Sequence, residues 1–274
     1  MQSNWKLILT FPSVLAILVS CHKDVQVNTT KTSIPTAKNY YIKSFALGTS
    51  DSITFTYDSK MRLIKKMNYT PNTYGLPDST TTLFSYDNKD RVDTIKTMSV
   101  EGTGYQTCRY NTDGTLVRIN ELTSALSTNS YWILVYNNNK QIDTESFISD
   151  SVNMNSPNNG HIIFLYDNMS NNIEKGKIVG GKYQVISQYT YDTYNSMYQG
   201  LPICNYVQGM PDGLGFGNDF IVPKHNVLSF TYAQSGYNIP EKIIYNYNTA
   251  GFPVLENYSG HGSNANYRIT YFVK

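Results

Sequence analysis

Four histidines, three cysteines and 20 acidic residues are the groups from which this 274-residue chain could assemble a metal centre or a catalytic site. His22, His161, His225 and His261 are scattered, and none lies at ligand spacing from another histidine or from a cysteine, so no metal site is expected. The run Gly213-Leu214-Gly215-Phe216-Gly217 is rich in glycine. No strand–turn–helix pattern surrounds it and no Lys-Ser/Thr closes it, so it lacks the parts of a phosphate-binding loop, and no cofactor is expected. Nucleophile elbows and metalloprotease motifs are absent, and no residue is assigned a catalytic role. The carboxylates are isolated in sequence. A curled sheet could still bring two of them together, which is the chemistry of a glycoside-type hydrolase. Aromatic side chains are abundant, with 24 Tyr, 11 Phe and 2 Trp. Exposed rings can stack on sugars, whereas rings paired across strands stabilise a sheet by about 0.2–1 kcal/mol each. Trp132, Phe216 and His225 are the candidate ligand contacts.

Cysteine 21 offers a different chemistry. Residues 1–20 read as an export signal, with Lys6 as the positive start and Leu7 to Val19 as an apolar run. The run is broken by Thr10 and Pro12-Ser13, which makes it a poor membrane span. It ends in Leu18-Val19-Ser20-Cys21, which resembles the lipobox of bacterial lipoproteins. The resemblance implies that Cys21 is lipidated and that the mature chain of 254 residues begins there. Membrane attachment would come only from acyl chains, each buried methylene contributing about 0.8 kcal/mol. Residues 22–38 read as a flexible tether reaching roughly 20–25 Å. The early Asp24 leaves cell-surface and periplasmic display both open. The mature chain carries 21 basic and 20 acidic residues, a balance that argues against nucleic acid as a partner.

The element that must position any site is a repeat. Tyr57-Asp58, Tyr86-Asp87, Tyr110-Asn111, Tyr136-Asn137, Tyr166-Asp167, Tyr191-Asp192 and Tyr247-Asn248 recur at steps of 29, 24, 26, 30, 25 and 56 residues. The last step is about two periods, as if one copy were replaced. Two residues before each tyrosine stands Phe55, Phe84, Cys108, Leu134, Phe164, Tyr189 or Tyr245, so both positions face one side of a strand. Cys108 fills an apolar slot as a small hydrophobe, and an exported chain would also permit a Cys108–Cys204 disulfide. After the tyrosine, Asp or Asn can hold a tight turn, and an apolar residue follows six positions on at Leu63, Val92, Leu116 and Ile142. Each unit is strand, turn, strand, and must stack on its neighbours to bury a face.

The spacing predicts fifteen strands, near 52–58, 62–69, 79–86, 91–98, 105–110, 115–122, 129–137, 141–149, 160–167, 172–179, 182–192, 227–233, 242–248, 253–258 and 266–273. The expected fold is an all-β antiparallel meander of about 14–16 strands over residues 39–274, curled or closed into a barrel. The strands carry Lys, Asp and Asn throughout, so the barrel is expected to be water-soluble. Residues 193–226 break the pattern with clustered Gly and Pro, as a functional loop, lid or plug, or as filler capping an open barrel end.

Tyr57-Asp58-Ser59-Lys60-Met61-Arg62-Leu63 and Tyr110-Asn111-Thr112-Asp113-Gly114-Thr115-Leu116 resemble degenerate Rhs-type YD repeats. The order Tyr191-Asp192, Gly200-Leu201-Pro202, Asn226-Val227, then Tyr245-Asn246-Tyr247-Asn248 with Gly251-Phe252-Pro253, is similar to an uncharacterised family of Bacteroidetes lipoproteins with a porin-like β fold. That resemblance implies a fold and no activity. Asn172 departs from it, standing where an apolar residue is expected. Asp51-Ser52-Ile53, Asp93-Thr94-Ile95 and Asp150-Ser151-Val152 resemble a short O-glycosylation signal. The expectation is a lipid-anchored envelope scaffold that binds a glycan, peptide or partner protein through residues 193–226 and nearby hairpin tips. The alternatives are an envelope hydrolase with carboxylates inside the sheet, and a structural subunit of an envelope complex.

Overall fold

A computed structural model describes residues 40–47, 51–71, 77–123, 126–148, 161–199, 201, 223–232, 240–260 and 263–274. All lie within the unit Ile34–Lys274. The described residues form β1 (Tyr40–Leu47), β2 (Asp51–Tyr57), β3 (Leu63–Pro71), β4 (Pro77–Tyr86), β5 (Val92–Ser99), β6 (Gly102–Tyr110), β7 (Leu116–Thr123), β8 (Leu126–Tyr136), β9 (Ile142–Ile148), β10 (His161–Tyr166), β11 (Asn172–Val179), β12 (Lys182–Tyr191), β13 (Val227–Tyr232), β14 (Glu241–Tyr247), β15 (Pro253–Gly260) and β16 (Ser263–Val273). Every strand pairs antiparallel with its neighbours in sequence, and β16 pairs with β1, so the sheet closes into a barrel without edges. All fifteen expected strands are present. The sixteenth, β1, carries no Tyr-Asx pair and was not expected.

The repeat is one turn geometry used again and again. In the first copy Asp58 N–H donates to Arg62 O at 3.0 Å and Met61 N–H to Asp58 O at 2.9 Å. The Asp58 carboxylate accepts from the N–H groups of Lys60 and Arg62, each at 2.9 Å. In six of the seven copies the fourth residue after the tyrosine is left-handed, whether it is Gly114 (φ 88°) and Gly251 (77°) or Met61 (61°), Asp90 (59°), Lys140 (59°) and Ser170 (69°). Glycine is therefore absent from most copies while the conformation that favours it persists. A one-residue register shift follows at each tyrosine, for example between Thr56 and Tyr57. The turn and its bulge together lock the register of each hairpin.

The long step hides a complete copy. Asp192 N–H donates to Asn226 O and Asn226 N–H to the Asp192 carboxylate, both at 3.0 Å, and Tyr191 pairs with Val227. Asp192 and Asn226 thus stand where Asp58 and Arg62 stand. Residues 193–225 replace three turn residues, so no copy is lost: the 56-residue step contains an ordinary one of 26 plus a 30-residue insertion. An eighth unit is split between the termini. Tyr271 of β16 pairs with Ile42 of β1, as Tyr57 pairs with Leu63.

The expected apolar slots are the core. Phe55, Phe84, Cys108, Leu134, Phe164, Tyr189 and Tyr245 are all buried inside the barrel. Cys108 carries a free thiol, and burial together with the nearby Asp93 pushes it up to about 12. Cys204 lies outside the described residues. Asn172, the departure from the apolar pattern, is buried and satisfied, donating from Nδ2 to Leu165 O and Glu174 O at 3.0 Å each.

Candidate functional site

The repeat tyrosines are structural. Tyr57, Tyr86, Tyr110, Tyr136, Tyr166 and Tyr191 donate their hydroxyls to Ile42 O, Leu63 O, Val92 O, Leu116 O, Ile142 O and Asn172 O at 2.6–2.8 Å. Tyr271 does the same to Pro253 O at 2.8 Å, and Tyr247 turns instead to the Asp192 carboxylate. Each ring thereby bridges to the neighbouring hairpin and closes one rim of the barrel. Desolvation pushes Tyr86 and Tyr136 up to about 12. The guanidinium of Arg62 lies 4.5 Å from the Tyr86 ring centre and that of Arg91 lies 4.4 Å from that of Tyr110. These rings are occupied by the protein itself and are not a platform for sugars.

The insertion begins by packing into this rim. Met197, Tyr198 and Leu201 are buried within the same core as Tyr189 and Tyr245. Asn195 Nδ2 donates to Ala250 O at 3.0 Å, and the Tyr194 ring stacks on Tyr247 at 4.2 Å. Residues 193–199 and Leu201 are thus packed into the rim rather than held as a free loop. His225 sits at its far end, with Nδ1 3.0 Å from Asn171 Oδ1, and serves the turn between β10 and β11. Phe216 and Cys21 lie outside the described residues.

Trp132 belongs elsewhere, on the inner face of β8. The register puts it opposite Ile119 and Phe147, and Glu121 opposite Gln106 and Ser130. Its indole Nε1–H donates to Glu121 Oε1 at 3.0 Å, and its ring lies 4.8 Å from that of Phe147. Gln106 Nε2 and the Ser130 hydroxyl also donate to Glu121, each at 3.5 Å. The barrel is filled unevenly around this cluster. On β12 to β16 the inner positions Ser187, Tyr189, Phe230, Ile243, Glu256 and Tyr267 are buried. On β5 to β8, Thr97, Gln106, Glu121, Ser130 and Trp132 are only half-buried. Their side chains are polar apart from one large aromatic, Trp132, and each keeps some exposure.

The remaining inner carboxylates are dispersed. Glu145 on β9 and Glu256 on β15 are buried, and Glu241 on β14 accepts a hydrogen bond from the Tyr258 hydroxyl. Among the described residues no group of three His, Cys, Asp or Glu could hold a metal ion. Trp132, Phe216 and His225 are the candidate ligand contacts of the sequence. The structure puts Trp132 inside the wall and His225 at the tyrosine rim. Glu121, Gln106 and Ser130 were missed because their meeting with Trp132 depends on the register of three strands.

No family model matches the chain, and no curated protein matches it. Among solved structures, a porin-like protein from Bacteroides uniformis is similar, with a TM-score of 0.57 and 13% identity over 87% of this chain and 99% of that one. A TcdB2-TccC3 structure aligns over 79% of this chain and 12% of that one, at TM-score 0.27 and 11% identity, too slight a likeness to place a fold. The described residues form an all-β fold of sixteen antiparallel strands closed into a porin-like barrel.

Proposed function

We propose that this chain is a cell-envelope protein anchored through a lipid on Cys21, whose barrel stays in water and binds a glycan on the inner wall around Trp132. The observation that carries the reading is Trp132 itself, half-buried on the inner wall with its indole N–H fixed by Glu121. A fixed indole offers an apolar face to a sugar ring, while Glu121, Gln106 and Ser130 supply groups that suit hydroxyls. The outer positions support a barrel in water. Lys65, Lys96, Arg109, Arg118, Lys242 and Arg268 interrupt any apolar band, and a lysine or arginine at the middle of a bilayer costs about 2–4 kcal/mol. The YD-like units build the wall and the residues 22–38 hold it off the membrane.

Trp5 falls within residues 1–20, so Trp132 is the only tryptophan after the proposed cleavage. Its fluorescence in a chain starting at residue 21 with Cys21→Ser can be titrated with envelope and dietary oligosaccharides. A saturable change with at least one of them is expected, and Trp132→Phe should abolish binding by calorimetry. Silence across a broad glycan array would overturn the sugar reading.

A further inference from the structure

The same three strands that hold Trp132 inside carry an unusual pair outside. Arg109 of β6 and Arg118 of β7 are directly opposite one another in the register. Like charges so placed oppose sheet formation. Four ion pairs join turn side chains, namely Lys60, Arg62 and Arg91 with Asp58, Asp87 and Asp90. Neither Arg109 nor Arg118 takes part in one. Arg118 is nonetheless held in place. Its Nε donates to Asn120 Oδ1 at 2.6 Å, and its guanidinium lies 3.6 Å from the Tyr131 ring centre. Asn120 Nδ2 in turn donates to the Thr107 hydroxyl at 3.0 Å, which leaves that O–H to donate outward.

These five residues, Thr107, Arg109, Arg118, Asn120 and Tyr131, line an open cleft of about 380 Å³ together with Glu121 and Ser130. The Glu121 carboxylate accepts from Trp132, Gln106 and Ser130 and pairs with neither arginine; its single negative charge leaves the two arginines in excess along the cleft. The volume falls in the small-molecule range of roughly 300–1,000 Å³.

We infer that this outer-wall cleft is a second binding site, for the carboxylate-bearing unit of an acidic sugar. Both arginines line the cleft, and a guanidinium offers a planar fork for a carboxylate, while Thr107 and Asn120 beside them carry groups that suit sugar hydroxyls. Arg109 and Arg118 stand on the opposite face of the wall from Trp132, which does not line the cleft, while Glu121 and Ser130 are common to both.

Calorimetry on the Cys21→Ser chain at low ionic strength tests it, with glucuronic acid, glucose and inorganic sulfate as probes. Glucuronic acid should bind, glucose should bind at least about tenfold more weakly, and added salt should weaken the glucuronate signal. Arg109→Ala and Arg118→Ala should each lower glucuronate affinity by about tenfold or more, and Trp132→Phe should leave it unchanged. Arg109 is exposed and makes no internal bond, so Arg109→Ala should keep the wild-type circular dichroism. The assignment is overturned if sulfate binds and glucuronate does not, if both arginine variants bind like wild type, or if only Trp132→Phe loses binding.

Discussion

The hydroxyl of Tyr110 donates to the backbone carbonyl of Val92, 2.8 Å away on the preceding hairpin. Val92 is paired with Tyr86, whose own hydroxyl reaches back to Leu63 O at 2.7 Å. The hairpins are therefore stapled in series by phenols as well as by the sheet. Removing one staple while keeping the ring, Tyr110→Phe, should cost about 0.5–1.5 kcal/mol. Removing the half-buried ring as well, Tyr110→Ala, should cost about 2–4 kcal/mol. Urea unfolding measures both, and equal small losses would contradict the stapling.

The turns give a test with opposite signs. Gly114 and Lys140 occupy equivalent left-handed positions, at φ 88° and 59°. A Cβ added at Gly114 meets nothing within 4 Å, so only backbone strain opposes it. Gly114→Ala should destabilise by about 1 kcal/mol, and Lys140→Gly should stabilise by up to about 1 kcal/mol. Shifts of the same sign in the two thermal transitions would refute the shared turn.

The tyrosines set an alkaline limit. Desolvation raises Tyr86 and Tyr136 from the ordinary 10.0 to about 12. The unfolded chain loses those protons near pH 10 while the folded chain keeps them. Their contribution is thus complete below pH 10 and is lost as pH rises toward 12. The urea midpoint should fall across that window, and tyrosinate absorbance from these rings should rise with unfolding. Full tyrosinate formation near pH 10 in the folded protein would contradict this.

The start of the insertion should behave as core. Tyr198 is 5% exposed and packs with Tyr189 and Tyr245. Tyr198→Ala should cost about 3–5 kcal/mol. A loss below about 0.5 kcal/mol would mean that residues 193–199 are a detachable loop.

Much of this wall was legible because alternation and turn chemistry are local. Phe55 and Phe84 announce their inward face from the tyrosine two residues on, and Asp58 and Asp87 announce their turns. The unread parts depend on partners far away in the chain. β1 completes a repeat unit only when Tyr271 arrives from the other terminus, and Phe272 follows that tyrosine where Asp or Asn would have revealed the copy. The 30-residue insertion disguised Asp192 and Asn226 as the ends of a gap. Lys66, Glu145 and Glu256 occupy inner positions that alternation assigns to apolar residues, and all three are buried. Arg109 and Arg118 were within reach, since a fixed turn after Tyr110 already pairs them. The Trp132–Glu121 contact was not, because β7 meets β8 through a register that no short motif sets.

Closure through β1 and β16 is what makes this sheet a barrel, and native-state amide hydrogen exchange tests it directly. The register runs from Tyr40 opposite Val273 to Leu47 opposite Tyr267. Amides bonded across that seam should be protected about as strongly as those between β6 and β7, and should open with the whole molecule. Rapid exchange along β1 and β16, with the other strands still protected, would show an open sheet and contradict the account.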